Sequence, residues 1–400
     1  MESAVSVSAG GSVLPSGSVL PAGSGVGGVA VLSVGEVQGA LGIRDLSDPG
    51  QGAHALQLIV DSVRGALGAA WPYTEVWTRR DHPVVSLADN YDNLGYAAGA
   101  VTREARYTRY VSDNEVLRSH TSAMIPPALR ELARSDSSDV LMICAGICYR
   151  RDSVDWQHTG TPHQLDLWRI SRNVTLGEAE LEDMIARLVD TVLPGQTYRT
   201  VPAVHPYTIH GRQVDVLLDD QWIEIGECGV AAPDVLRLAG LDDSWTGLAM
   251  GSGLDRLLML RKGIHDIRLL RSPEPRVAGQ MLDLSPYKPV SAMPPVRRDL
   301  SVVVGPDADV SAEVLGDKAR AALGPAADAA ESLEVLGETS YDDLPTAARE
   351  RLQLTPGQRN VLVRLILRPV DRTLTDAEAN TLRDQVYRAL HEGPVLELIG

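Results

Sequence analysis

Residues 139–171 read DVLMICAGICYRRDSVDWQHTGTPHQLDLWRIS. The first part is an apolar strand that runs into arginines, and HQLDLWRIS is a second strand with polar residues at alternate positions. The polar stretch RRDSVDWQHTGTP joins them. A strand, loop, strand hairpin with arginines at its turn end and polar side chains on one face suggests a substrate platform.

Working outward, His54–Leu67 places Leu56, Ile59, Val60, Val63 and Leu67 on one helical face. WPYTEVWT and HPVVSL read as short strands, NYDNLGY as a loop, and residues 124–134 as a short helix with proline in its first turn. Downstream, EAELEDMIARLVDTVL is acidic at its start and apolar at helical spacing from Leu181 to Val192. Strands follow around QVDVLLDD and QWIEIGECG, and LAMGSGLDRLLMLRKG is a glycine-flanked strand end entering a helix near Leu254. Strands with intermittent rather than alternating helices point to an α+β fold on an antiparallel sheet.

Prolines cluster at 272–296 (SPEPRV, SPYKPV, SAMPPV), which reads as a semi-extended linker and a domain boundary. Beyond it the pattern βαββαβ, closing on the strand VLELI, is that of a small ferredoxin-like module. The organisation expected is a flexible leader at 1–28, a catalytic domain at 29–271, the linker, and the small module at 297–400. The leader lacks the basic start of a signal peptide and the arginines of a presequence. No window is apolar enough to span a membrane, so a cytoplasmic protein is expected.

Thirty-seven basic against 53 acidic residues give a net charge of -16, which argues against a general polyanion-binding surface while leaving room for a local basic track. Three cysteines build no disulfide framework and fit a reducing compartment. Phenylalanine is absent altogether.

Among chemistry-bearing residues, His120 and Ser122 in LRSHTSAM have no recognisable nucleophile partner, and no G-x-S-x-G elbow occurs. Arg150, beside Arg151 and Asp152, ends an apolar strand, where it is either a solvated turn residue or a bidentate phosphate clamp. Arg256 opens a helix. Two arginines far apart in sequence can hold the two ends of a triphosphate. GSGLDR alone lacks the lysine of a P-loop.

These segments resemble the signatures of class II aminoacyl-tRNA synthetases, and specifically of the phenylalanyl-tRNA synthetase family in its single-chain form. The matching residues are Leu117–Ser122; Tyr149, Arg150, Asp152, Asp155, His158, His163, Gln164 and Asp166; Glu224, Gly226, Cys228 and Gly229; Pro233–Leu236; and Gly247–Arg256 running on to Ile267. PPVRRDLSVVV and TLTDAEAN resemble the family's ferredoxin-fold anticodon-binding domain. The resemblance implies activation of an aromatic amino acid, phenylalanine or an analogue, as its adenylate, with ATP and Mg²⁺, and transfer to tRNA, by a homodimer or a monomer. It assigns Arg150 to the α-phosphate, Arg256 to the γ-phosphate, Glu224 to Mg²⁺, and Asp152 and His158 to ATP. His120, Ser122, Gln164 and Asp166 position the amino acid, His205 and Tyr207 wall its side chain, and Ala249 forms an open pocket floor.

The chain departs from the family pattern in places. Asp166 stands for the usual Glu, Ile125 for Gln, and His205-Pro206-Tyr207 for Phe-Pro-Phe, with Ile209 in place of the Glu that follows. The pocket changes read either as altered specificity or as avoidance of phenylalanine throughout the chain. Arg297, Arg298, Arg359, Arg364 and Arg368 supply a modest phosphate track for tRNA. An adenylating enzyme with a non-tRNA or biosynthetic acceptor is the alternative, and a regulatory or RNA-binding paralogue is disfavoured by the intact Arg150, Gln164, Glu224 and Arg256.

Overall fold

The computed structural model describes residues 31–104, 107–290, 294–370 and 372–396; the expected leader lies outside them. The N-terminal part runs α1 (Val34–Leu41), α2 (Ala55–Ala70), β1 (Glu75–Arg79), β2 (Val84–Ser86), α3 (Leu87–Asn90), β3 (Arg109–Tyr110), β4 (Glu115–Leu117), α4 (Ile125–Leu132), β5 (Asp139–Ile147) and β6 (His163–Ser171). It continues through α5 (Glu178–Val192), β7 (Tyr198–Pro202), β8 (Thr208–Leu218), β9 (Gln221–Ala231), α6 (Pro233–Leu238), β10 (Thr246–Gly253) and α7 (Leu254–Lys262). Seven strands form one sheet in the order β1-β5-β6-β10-β9-β8-β7, antiparallel throughout except for the β1–β5 pair. The antiparallel α+β architecture expected for this part is what the chain adopts.

Every residue of β5 is buried, because the sheet is covered on both faces. Alternation sorts its side chains: Leu141, Ile143 and Ala145 join a core built with α2, α5 and α7, whereas Val140, Met142 and Cys144 join one built with α4 and α6. Side chains from the second face open into the site described below.

The stretch 272–296 is not extended throughout. It contains α8 (Pro275–Ala278) and a single-turn helix at Gly279–Leu282, and Val277 and Met281 are buried in the first core. The fully buried Lys262 donates to the carbonyls of Asp283 and Ser285, tying this segment down. Proline spacing signalled a break in regular structure, and the apolar residues between the prolines nonetheless found a core to join.

The C-terminal part comprises β11 (Val296–Val304), α9 (Ala312–Leu323), β12 (Ala330–Ser340), α10 (Thr346–Leu352), β13 (Arg359–Leu367) and α11 (Asp376–Leu390). Its antiparallel sheet has the order β11-β13-β12 and shares a core with α9 and α11. The Thr375 cap of α11 closes a full capping box with Glu378. Two details differ from βαββαβ: α10 intervenes before β13, and no strand follows α11 among the described residues. Most of VLELI, from Glu397, lies outside them. The arginines read as a phosphate track are largely ion-paired: Arg298 with Asp376, Arg359 with Glu338, Arg364 with Asp299 and Arg368 with Glu331.

This part packs on the loop between β5 and β6. Val154 enters the C-terminal core, Leu333 N–H donates to the Val154 carbonyl (2.9 Å), and Arg320 reaches the carbonyls of Asp152 and Ser153. No helix among the described residues is long and apolar enough to cross a membrane.

Candidate active site

On the second face of the large sheet β6 presents, in order, Gln164, Asp166, Trp168 and Ile170. The first two line a cavity of about 470 Å³; the last two are core. His163 fixes the start of the strand. Its N–H and Nδ1 meet the two carboxylate oxygens of Asp255 at 2.7 and 2.8 Å, and its Nε2 accepts from the Leu46 N–H. Since Asp255 precedes Arg256 on α7, this contact also sets the arginine's position against β6.

Asp166 is the polar centre of the cavity. Thr121 Oγ1 donates to its Oδ2 (2.6 Å) and Ser122 Oγ to its Oδ1 (2.8 Å). Burial nevertheless outweighs these donors and the nearby Arg150 charge, and pushes the carboxyl above its ordinary value. The short helical turn Thr121–Met124 begins from an extended His120, which brings the His120 and Ser122 side chains into the same cavity. Both ring nitrogens of His120 are buried and meet no hydrogen-bond geometry among the described residues. Burial, and then Arg150, push this imidazole down to about 3, so it is neutral at pH 7. Its ring stacks on Tyr96 with centroids 5.8 Å apart.

Arg150 is anchored through Nε to the Ser119 carbonyl (2.7 Å), leaving its terminal nitrogens for the cavity. Arg256 Nη1 donates to the Glu224 carbonyl (3.0 Å). The Glu224 carboxyl is pushed up by burial first and by Glu227 second. Glycine is needed at Gly226 because a Cβ there would run into the Gly251 carbonyl of the paired strand. At the mouth, His158 Nδ1 meets Asp155 Oδ2 at 2.6 Å. That bond raises the imidazole's pKa, and, against the pull of burial, it helps bring Asp155 down to about 2. Asp152 also lines the cavity and is pushed up by burial.

Of the residues expected at the site, all but His205 and Ala249 line this cavity. His205 stands behind Tyr207, ring centroids 6.0 Å apart, with Nε2 3.1 Å from a Glu227 carboxylate oxygen and Nδ1 3.3 Å from Thr208 Oγ1. Ala249 is wholly buried on β10 opposite Trp168, so the open floor expected there is covered. Sequence reasoning missed Thr121, Glu227 and Tyr96. The first two lie next to recognised residues in the same segments, whereas Tyr96 sits in a stretch read only as a loop and carried no signal.

A family description, the class II core domain of tRNA synthetases (F), matches residues 53–281, more than half of the chain. A probable mitochondrial phenylalanine–tRNA ligase of Drosophila melanogaster is 27% identical over 364 residues, covering 77% of this chain and 76% of that protein. The phenylalanine–tRNA ligase alpha subunit of Leptospira biflexa is 32% identical over 208 residues, covering 48% of this chain and 59% of that subunit. Among solved structures, a pyrrolysyl tRNA synthetase, PylSc, of Desulfitobacterium hafniense aligns with a TM-score of 0.41 at 19% identity, over 55% of this chain and 73% of that one.

Proposed function

The chain belongs to the class II tRNA synthetase family defined by that core domain, and we propose that it activates an amino acid with ATP and transfers the aminoacyl group to tRNA. One observation carries this reading: Arg150, Gln164, Asp166, Glu224 and Arg256, from four separate segments, converge on one cavity with His120 and Ser122. The amino acid carboxylate attacks the α-phosphorus in line and pyrophosphate leaves. Arg150 takes the α-phosphate and Arg256 the γ-phosphate, neutralising charge as bonds rearrange, so the protein supplies positioning rather than a strong base. Asp166 and Gln164 hold the ammonium group, and His158 closes over the nucleotide.

Glu224 and Glu227 both line the cavity, and burial followed by the Glu227 charge pushes the Glu224 carboxyl up, a crowding that a hard divalent cation relieves. Among the described residues no group of three or more His, Cys, Asp or Glu side chains is arranged to hold a metal ion by itself. Mg²⁺ would therefore be held by Glu224 together with phosphate oxygens. When bound, it offsets phosphate charge.

The names of the relatives favour phenylalanine, or another aromatic side chain, as the substrate. Residues 297–400 are read as a ferredoxin-fold module for tRNA recognition; the sheet order and the paired α9 and α11 support this. A cytoplasmic location belongs to the same reading, supported by the three buried free cysteines. The neutralised arginines of the C-terminal part favour a second reading, transfer to an acceptor other than tRNA. The test is ATP–pyrophosphate exchange, dependent on amino acid and Mg²⁺, followed by transfer of labelled amino acid to total tRNA. Exchange without any transfer selects the second reading, and no exchange with any amino acid refutes both.

A further inference from the structure

A second carboxylate faces Asp166 across a glycine. In the sheet register Gly251 of β10 lies opposite Asp166 of β6 on one side and opposite Glu227 of β9 on the other. Residues paired in this way project from the same face of a sheet, and all three line the cavity. The two acidic residues are therefore two strand spacings apart at the backbone, about 10 Å, with no side chain between them. Asp166 leans into that gap: a Cβ on Gly251 would stand 3.7 Å from each of its carboxylate oxygens. From the far side Glu227 is held by His205, whose ring is buried and whose Nε2 stands 3.1 Å from Oε2. Both carboxylates act on the same two phenols, since burial first, then Asp166 and, more weakly, Glu227 push the hydroxyls of Tyr96 and Tyr207 up.

Asp166 is poorly suited to hold a cation alone. It is buried, each of its oxygens already accepts a hydroxyl hydrogen, from Thr121 and Ser122, and burial works against its charge. Glu227, with a side chain 43% exposed, offers the cavity a carboxylate that no hydroxyl occupies among the described residues. An alkylammonium group carries three N–H donors that diverge from one nitrogen, so two carboxylates can share it from opposite sides.

Resting on the activation chemistry proposed above, we infer that Glu227 is a second binding residue for the substrate's ammonium group, which sits over Gly251 between Asp166 and Glu227. The two glutamates of β9 then divide their work, Glu224 at the phosphates and Glu227 at the amino acid. Glycine at 251 gains a reason as well. Beyond its chain neighbours no heavy atom comes closer than 3.7 Å to a Cβ built there, so the protein itself has room for a methyl group. The ammonium group does not, because that methyl would take its place.

The experiment compares, by calorimetry and without Mg²⁺, binding of phenylalanyl sulfamoyl-adenylate and of its counterpart in which hydrogen replaces the ammonium group. The preference for the ammonium form reads the contact directly, whereas misfolding or loss of nucleotide contacts weakens both analogues alike. Glu227→Gln should lower the wild-type preference at least fivefold, the scale of one hydrogen bond to a charged group. Gly251→Ala should do the same without touching either carboxylate. Should one variant fail to fold, the other decides alone. A preference lowered less than fivefold in either folded variant overturns the inference, a parallel loss of both analogues included, since that marks a role at the nucleotide or in the fold. A wild type that binds both analogues equally overturns the inference together with the ammonium contact at Asp166. A wild type that binds neither overturns the aromatic activation reading and the inference with it.

Discussion

Replacing Arg150 by alanine tests the phosphate clamp with little structural cost. The backbone at this position is held without the side chain: its N–H donates to the Gly160 carbonyl (3.0 Å) and its carbonyl accepts from Arg109 (3.2 Å). Among the described residues the side chain contributes one internal hydrogen bond, to the Ser119 carbonyl, whose loss costs about 1 kcal/mol of stability. Losing one charge-stabilising donor to the transition state costs more, about 3 kcal/mol, or roughly a hundredfold in rate. His120 is held down by burial first and by Arg150 second, so removing the charge lets its pKa rise. Burial still opposes protonation, so the imidazole stays neutral at pH 7 and does not confuse the result. Arg150→Lys keeps the charge and loses the planar fork, and should fall between wild type and alanine. The assay is kcat/KM for ATP in pyrophosphate exchange, beside a melting curve. Arg150→Ala with unchanged melting and activity within threefold of wild type would refute the clamp.

Asp166→Asn should leave melting at pH 7 unchanged or higher, because burial already disfavours the charged carboxyl, while KM for the amino acid rises at least tenfold; an unchanged KM removes the ammonium contact. The Asp155–His158 pair stabilises most between about pH 4 and 6.5. Its His158 contribution fades as pH rises through the raised imidazole value, and its Asp155 contribution fades as pH falls toward about 2. Asp155→Asn should accordingly lower melting most within that window, by less than about 1 kcal/mol since both groups are partly exposed, and a loss independent of pH would contradict the assignment. Gly316 lies against the backbone of Asp152 and Val154, where a Cβ would come within 2.9 Å of the Asp152 carbonyl. Gly316→Val should push α9 off this loop and raise KM for ATP at least threefold, read by exchange kinetics; an unchanged KM would mean that the packing does not position the loop.

Much of the fold was legible because local signals agreed with tertiary demand. The 139–171 hairpin joins an apolar run to full burial, and α5 and the Thr375-capped α11 combine helical spacing with a capping box and an acidic first turn, so propensity and burial point the same way. Where only one signal existed, the reading failed. Prolines at 272–296 predicted extension, yet Val277 and Met281 had a core within reach. The run 346–352 has little apolar periodicity, and α10 forms with Leu352 as its only buried residue.

The site separates the same way, between what a residue brings and what surrounds it. Arg150, Glu224, Asp166 and Arg256 carry charge that has to face a ligand, a partner or water; residue type and position marked out the two arginines, and the family resemblance marked out the two carboxylates. A small residue such as Ala249 brings nothing; it only permits space, and which neighbour takes that space is decided across strands. Trp168 lies in a strand read only for its alternating polar residues, and the register sets it opposite Ala249 with Tyr207 packed over it. Arginines in the C-terminal part reverse the case: their charge was legible, and their partners Asp299, Glu331, Glu338 and Asp376 come from neighbouring strands and α11. Charge counted along a chain therefore overstates what a surface offers to phosphate, just as a small side chain counted along a strand overstates the depth of a pocket.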